Sequence, residues 1–152
     1  MPSRILLNLQ WSIPGQQAQW PLSRPRIRRL LDASLGAQAD HAEITVRLVG
    51  SREGRLLNRD FRGKDYATNV LTFGYTLHPV VQADLVLCLP VLVREAKAQN
   101  KDLAAHVAHM LIHGMLHAQG FDHLHDDEAE EMESMEQRIM RRFRLPDPYS
   151  VH

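Results

Sequence analysis

Three histidines fall within the eleven-residue run from His113 to His123, with His117 four residues after the first and Gly120 three residues after the second. An α-helix turns roughly 100° per residue, so His113 and His117 lie roughly 40° and about 6 Å apart on one face. Imidazoles on adjacent turns can converge on one ion. Gly120 is suited to a left-handed helix stop, after which the chain can turn back and bring His123 from a third direction. Three neutral imidazoles leave a fourth tetrahedral position to water, the arrangement of a catalytic rather than a structural zinc site. Water so held ionises at a pKa of about 7. Zinc (Zn2+, one ion) is therefore the expected cofactor, although imidazole also suits nickel, copper and iron. An isolated pair of histidines at this spacing is as often ordinary packing; Gly120 and His123 move the reading to metal. In helix-borne zinc peptidases a glutamate follows the first histidine and acts as general base. Here Gly114 stands in that place. A zinc metallopeptidase would need a substitute base such as Asp122.

The surroundings of the run are less determined. His106 and His109 lie on the same helical stripe as His113 and His117, and either line a cleft and support the ligands or are satisfied packing histidines. Asp122 either orients a ligand imidazole or is a turn residue. His125, Asp126 and Asp127 fall at the solvated start of the following helix.

The elements that must position these groups follow from hydrophobic period and punctuation. Arg4 to Trp11 alternates, with Ile5, Leu7, Leu9 and Trp11 on one side, and reads as a strand. Pro14 to Pro21 is a loop. Ser23 caps a helix with Pro25 in its first turn, Ile27, Leu30, Leu31 and Leu35 on its apolar stripe, and Gly36 to close it. Residues 43–49 and 69–75 are strands, and 84–89, apolar on both faces, is a central one. Helices are expected over 54–62, ended by Gly63, over 90–99, and from a cap at Asp102 to about Gln119. A last helix begins with a capping box of Asp127 and Glu130 and buries Ala129, Met132, Met135, Ile139 and Phe143. The resulting order, β-α-β-α-β-β-α-α-α, predicts an α+β fold: a small mixed β-sheet packed by helices, with a zincin-like metal-site helix ending at a glycine turn.

A chain of 152 residues reads most simply as one domain over 1–152, able to bury roughly 68–70% of its extended surface without staples. Its single cysteine, Cys88, excludes an internal disulfide. No apolar run approaches the roughly 20 residues of a membrane span, and Met1 to Arg4 has no signal-peptide layout. A cytoplasmic protein with no membrane partner is expected. Net charge is zero, yet residues 1–72 carry 11 Lys/Arg against 6 Asp/Glu, while residues 73–152 carry 7 against 12. The basic half suits a polyanion such as RNA; the plainer reading is that Arg24, Arg26, Arg28 and Arg29 solvate one helix.

The histidine run closely resembles the HGxLHLxGYDH signature of the YbeY family, metal-dependent endoribonucleases of ribosomal RNA maturation. Leu57 to Asp65 and Thr68 to Phe73 resemble that family's LNxxYRGKDxxTxVLSF segment, and Asp84 stands where the family has a Gly-Asp-aliphatic strand. The chain departs at Phe61 and Phe121 (tyrosines in the family), Thr72 (serine) and Ala83 (glycine). The blocks span about residues 56–123. The resemblance implies zinc ligands His113, His117 and His123 and a functional arginine at Arg62. A guanidinium there suits phosphodiester cleavage, because it grips developing phosphate charge with paired hydrogen bonds. Asp122, His109 and Asp84 are candidate supporting or cleft residues, and Thr68 and Asn69 candidate cleft walls. The implied function is a single-strand-specific, zinc-dependent endoribonuclease in rRNA maturation (16S rRNA 3′-end processing) and ribosome quality control. Its implied partners are single-stranded rRNA and the small ribosomal subunit. The competing readings are the metallopeptidase and a non-catalytic ribosome-binding factor with a structural metal.

Overall fold

The structure, a computed structural model, describes residues 3–37, 39–121 and 126–150. Four strands, β1 (Ile5–Trp11), β2 (His41–Val49), β3 (Val70–Thr76) and β4 (Val80–Cys88), form one mixed sheet in the order β1-β2-β4-β3. β1, β2 and β4 are parallel, and β3 joins β4 antiparallel as an edge strand. Among the described residues the α-helices are α1 (Arg24–Ala33), α2 (Ser51–Arg62), α3 (Leu89–Ala98), α4 (Leu103–Ala118) and α5 (Asp126–Arg142). The α+β architecture is the one expected, with the strand that is apolar on both faces, β4, in the sheet interior.

Strand alternation sets the layers. Ile5 and Leu7, then Ile44, Val46 and Leu48, then Val81, Ala83, Leu85 and Leu87 all project to one face and are buried. There they meet Ile27, Leu30 and Leu31 of α1 and the apolar body of α4 in a single core. Each such valine, leucine or isoleucine contributes roughly 1.5–3 kcal/mol by leaving water. On the opposite face Leu71, Val86 and Cys88 form a smaller cluster with Val91 of α3 and Leu57 of α2. Gly54 lets α2 lie close to the sheet: a Cβ there would stand 3.2 Å from Cys88 Sγ. The Arg47–Glu53 ion pair, with Nε–Oε2 at 2.7 Å, ties the same helix to β2. Burial pushes the Cys88 thiol up, so it is an inert core group.

Several expected boundaries differ: β2 begins at His41 rather than at residue 43, α2 at Ser51 rather than at residue 54, and β4 runs over Val80–Cys88 rather than 84–89. α1 ends at Ser34 in right-handed geometry, and Gly36 supplies no left-handed cap. Instead the Gly36 amide donates to Gln119 Oε1 at 2.7 Å while Gln119 Nε2 donates to Ser34 O at 2.7 Å, so a side chain from the end of α4 closes α1. Asp127 lies inside the first turn of α5 rather than before it, where its charge still suits the helix dipole. Ser23 does cap α1, accepting from the Arg26 amide at 3.2 Å. Gly63 ends α2 and Gly120 follows α4 at φ 70° and 98°, as their places in the sequence require. Among the described residues, no helix is long and apolar enough to cross a membrane.

Candidate active site

α4 is buried almost all round. After its first two residues only His113 and His117 are partly exposed. Apolar neighbours hold the helix against the sheet, and Gly114 makes the closest approach. A Cβ at 114 would lie 3.3 Å from methyls of Leu85 and Val70 and 3.4 Å from Thr72 Oγ1. The position that carries the base in zinc peptidases thus faces the sheet and has no room for a glutamate.

His113 and His117 open into a cleft of 560 Å³ at the edge of the sheet. Edge strand β3 forms its floor with Leu71 and Phe73, and Thr68 and Asn69 lead into that strand. The C-terminal end of α2 supplies the facing wall, Phe61 and Arg62. Arg62, more than fifty positions from the histidines in sequence, therefore shares a cavity with them. Its backbone is set by Gly63, whose left-handed conformation turns the chain off the helix. Asn58, fully buried one turn earlier, donates to Tyr66 O at 2.8 Å and holds the returning loop. On the other side, Asn69 is fixed by donating to both Glu95 oxygens at 3.2 and 3.3 Å. His106 donates to the same carboxylate at 2.9 Å.

The two imidazole rings are 5.4 Å apart, centroid to centroid, close enough for both to reach one ion whose Zn–N bonds run about 2.0–2.1 Å. His113 Nδ1 donates to Glu136 Oε1 at 3.0 Å. The ring's remaining nitrogen therefore lies at its far edge, away from the buried carboxylate. A carboxylate behind a ligand imidazole is the usual support of a metal-binding histidine, so the donor set fits a zinc ion. His123 and Asp122 lie outside the described residues. Among the described residues no group of three or more His, Cys, Asp or Glu side chains is gathered to hold a metal; of the three expected ligands, His113 and His117 are described.

Glu136 went unread in the sequence. It sits on the α5 stripe with Met132, Ile139 and Met140 and has no exposed surface. Besides His113 it accepts from His109 Nε2 at 2.8 Å and from Tyr149 Oη at 2.7 Å. Burial pushes its pKa up, but the donors from His109, His113 and Tyr149 outweigh it and hold the carboxyl down at about 2. Tyr149 is in turn pushed well above the ordinary phenol range by burial and by that carboxylate. The signal available in the sequence was the register: Glu136 falls four residues after Met132 and three before Ile139, on the buried side.

His109 thus stands behind the cleft, joined to His113 through Glu136. His106 is buried, which lowers its pKa despite the Glu95 hydrogen bond. Asp84 is not brought to this cleft. It projects from the sheet face opposite α4, beside Asn8 and Thr45, and accepts from Tyr75 Oη at 2.7 Å.

The family described as Endoribonuclease YbeY matches residues 15–144 of this chain. Proteins named Endoribonuclease YbeY are similar over nearly its full length. That of Acidovorax sp. is 58% identical over 152 residues, covering 98% of each chain. That of Albidiferax ferrireducens is 56% identical over 151 residues, covering 98% of this chain and all of the relative. That of Aromatoleum aromaticum is 52% identical over 148 residues, covering 97% and 94%. The solution structure of TM1509 from Thermotoga maritima has a similar fold, with a TM-score of 0.60 at 20% identity, covering 95% of this chain and 99% of the other.

Proposed function

We propose that this chain, which belongs to the Endoribonuclease YbeY family, is a zinc-dependent, single-strand-specific endoribonuclease. Its place would be the cytoplasm, where it would act on single-stranded rRNA of the small ribosomal subunit, in 16S rRNA 3′-end processing and ribosome quality control. The observation that carries the reading is the meeting of Arg62 with His113 and His117 in one cleft.

The division of labour follows from the side chains. Arg62 is permanently charged and offers two parallel N–H donors to non-bridging phosphate oxygens, where charge builds during cleavage. His113, His117 and His123 would hold the zinc. Bound zinc supplies a Lewis acid for a phosphate oxygen and a water that ionises near neutral pH. Glu136 keeps the proton of His113 on Nδ1, leaving the other nitrogen a lone pair for the metal. The open edge of β3 leaves one side of the cleft free for an extended strand. A folded duplex, whose bases are paired inward, has no equivalent extended edge to offer.

The test is cleavage of a single-stranded rRNA segment by the purified, zinc-loaded protein. His113→Ala and Arg62→Glu should each lose activity, by about 10²–10³ for the arginine, while retaining the far-ultraviolet circular dichroism of the wild type. Undiminished cleavage by either variant sinks the assignment. In cells lacking the protein, small-subunit rRNA should keep an unprocessed 3′ end that wild type restores and Arg62→Glu does not.

A further inference from the structure

α2 carries Arg52, Arg55, Arg59 and Arg62. At roughly 100° per residue these four fall within about 80° of one another on the helix surface, and they span about 15 Å along its axis. All four are exposed. The stripe ends at the cleft, since Arg62 is its last member and a cleft residue. Beside that end stands Phe61, 66% exposed although it is a large apolar ring, with its orientation held by an edge-on contact to Phe73 at 4.8 Å between centroids.

Four other arginines of the basic N-terminal half, Arg4, Arg24, Arg26 and Arg47, are committed to the protein itself. Arg24 donates to Leu7 O, and Arg26 donates to Phe143 O and stacks on the Phe143 ring at 4.9 Å. Arg4 is bonded to Asp32 and to carbonyls at the end of α1, and Arg47 to Glu53. Among the described residues, the partners of the α2 stripe are Asp65, which takes Arg55, and Asp60, which takes Arg59, both in pairs more than half exposed. Water and salt already compete with such pairs, and a phosphate can replace them. The one acidic residue in the helix's first turn, Glu53, is turned onto Arg47 and Ser12.

We propose that the arginine stripe of α2 is the track on which a single RNA strand enters the cleft, its phosphates on Arg52, Arg55 and Arg59 and an unpaired base stacked on Phe61. The inference rests on the nuclease reading of the cleft and adds where the rest of the substrate lies. Charge complementarity selects a polyanion, and continuity with Arg62 places it. An exposed aromatic ring at the mouth selects a strand whose bases are unstacked, because a base inside a duplex has both faces covered by its stacked neighbours. Stacking on a phenylalanine is tolerant of sequence, so the track would grip single strands broadly.

The experiment measures binding apart from cleavage. Zinc-loaded protein is titrated with an unstructured 2′-O-methyl RNA, longer than the cleft and carrying one 2-aminopurine, at several salt concentrations. Each phosphate contact contributes about 0.7 to the slope of log K against log salt for a single strand. Arg52→Gln, Arg55→Gln and Arg59→Gln should each lower the slope by about that amount. Arg28→Gln and Arg29→Gln on α1 should leave it unchanged. Phe61→Ala should weaken binding about tenfold without altering the slope and lose the fluorescence quenching of the stacked purine; Phe61→Tyr should restore both. An unchanged slope in the α2 variants, an equal fall in the α1 variants, or quenching that survives Phe61→Ala overturns the proposal. If the slopes follow α2 while cleavable RNA stays intact, the nuclease reading fails and the track stands. If RNA is cut while the slopes ignore α2, the reverse holds.

Discussion

Glu136 carries a full charge with no exposed surface, and an unpaired ion so placed costs several kcal/mol. The His109, His113 and Tyr149 donors offset that cost and so tie α4, α5 and the C-terminal segment to one carboxylate. In the proposed metal site, a charged acceptor behind His113 would fix the ring's rotation and tautomer and make Nε2 a better donor. Glu136→Gln keeps the volume but loses the charge, and its amide cannot accept from all three donors. Zinc affinity, measured by competition with a chromogenic chelator, should fall about 10–100-fold. Tyr149→Phe should fall less, because both histidine donors remain. A Glu136→Gln protein that holds zinc as tightly as wild type would remove Glu136 from the metal site. This residue also marks what the sequence leaves hidden. His113, His117 and His123 announce themselves because three rare side chains fall in a short run, and Arg62 because its block resembles a family's. Glu136 lies in a helix rich in acids, and only its burial separates it from Glu130, Glu131 or Glu133.

α4 shows why element-level reading succeeds where residue-level reading does not. Its apolar positions leave one stripe of histidines, so helix and burial follow from the period, whereas the covering of His106 and His109 and the opening at His113 and His117 do not. The role of Gly114 needs the neighbours: position 114 is pressed on Leu85, Val70 and Thr72 by the crossing of α4 over β3 and β4, and a chain read alone does not contain that crossing. Gly114→Glu would recreate the peptidase motif, yet it would force a charged side chain into a dry contact. It should lose several kcal/mol in urea unfolding and gain no peptide hydrolysis; a stable variant that cuts peptides would reverse the assignment of this position to packing. Asp84 shows the opposite limit, since a strand's two faces are distinguishable by alternation only if one knows which face the helix covers. The same helix predicts a pH effect. Burial depresses the pKa of His106, so the folded chain keeps that ring neutral while the unfolded chain binds a proton below about pH 6.5. Its contribution to stability is present above that pH and is lost as pH falls. His106→Gln retains a donor for Glu95 and cannot titrate there. Between neutral and mildly acid pH its urea midpoint should decline less steeply than that of wild type, and parallel curves would contradict the argument.

For the molecule as a whole, the site joins parts that are distant along the chain: the end of α2, the edge strand β3, the last turns of α4 and, behind them, α5. A ligand bound there by the folded chain alone stabilises all of them together by mass action, about 2.7 kcal/mol when its free concentration is a hundred times its dissociation constant. Thermal unfolding with buffered zinc against chelator should show that increment in wild type. His117→Ala should lose it. Arg62→Glu should keep it in full while losing RNA cleavage, because the proposed role of the arginine is to grip substrate rather than metal. The increment should also shrink on acidification, since zinc binds only deprotonated imidazole. Four measurements thus separate the two halves of the cleft: an Arg62→Glu protein that loses the zinc increment would place the arginine in the metal site, and a His117→Ala protein that keeps it would take His117 out.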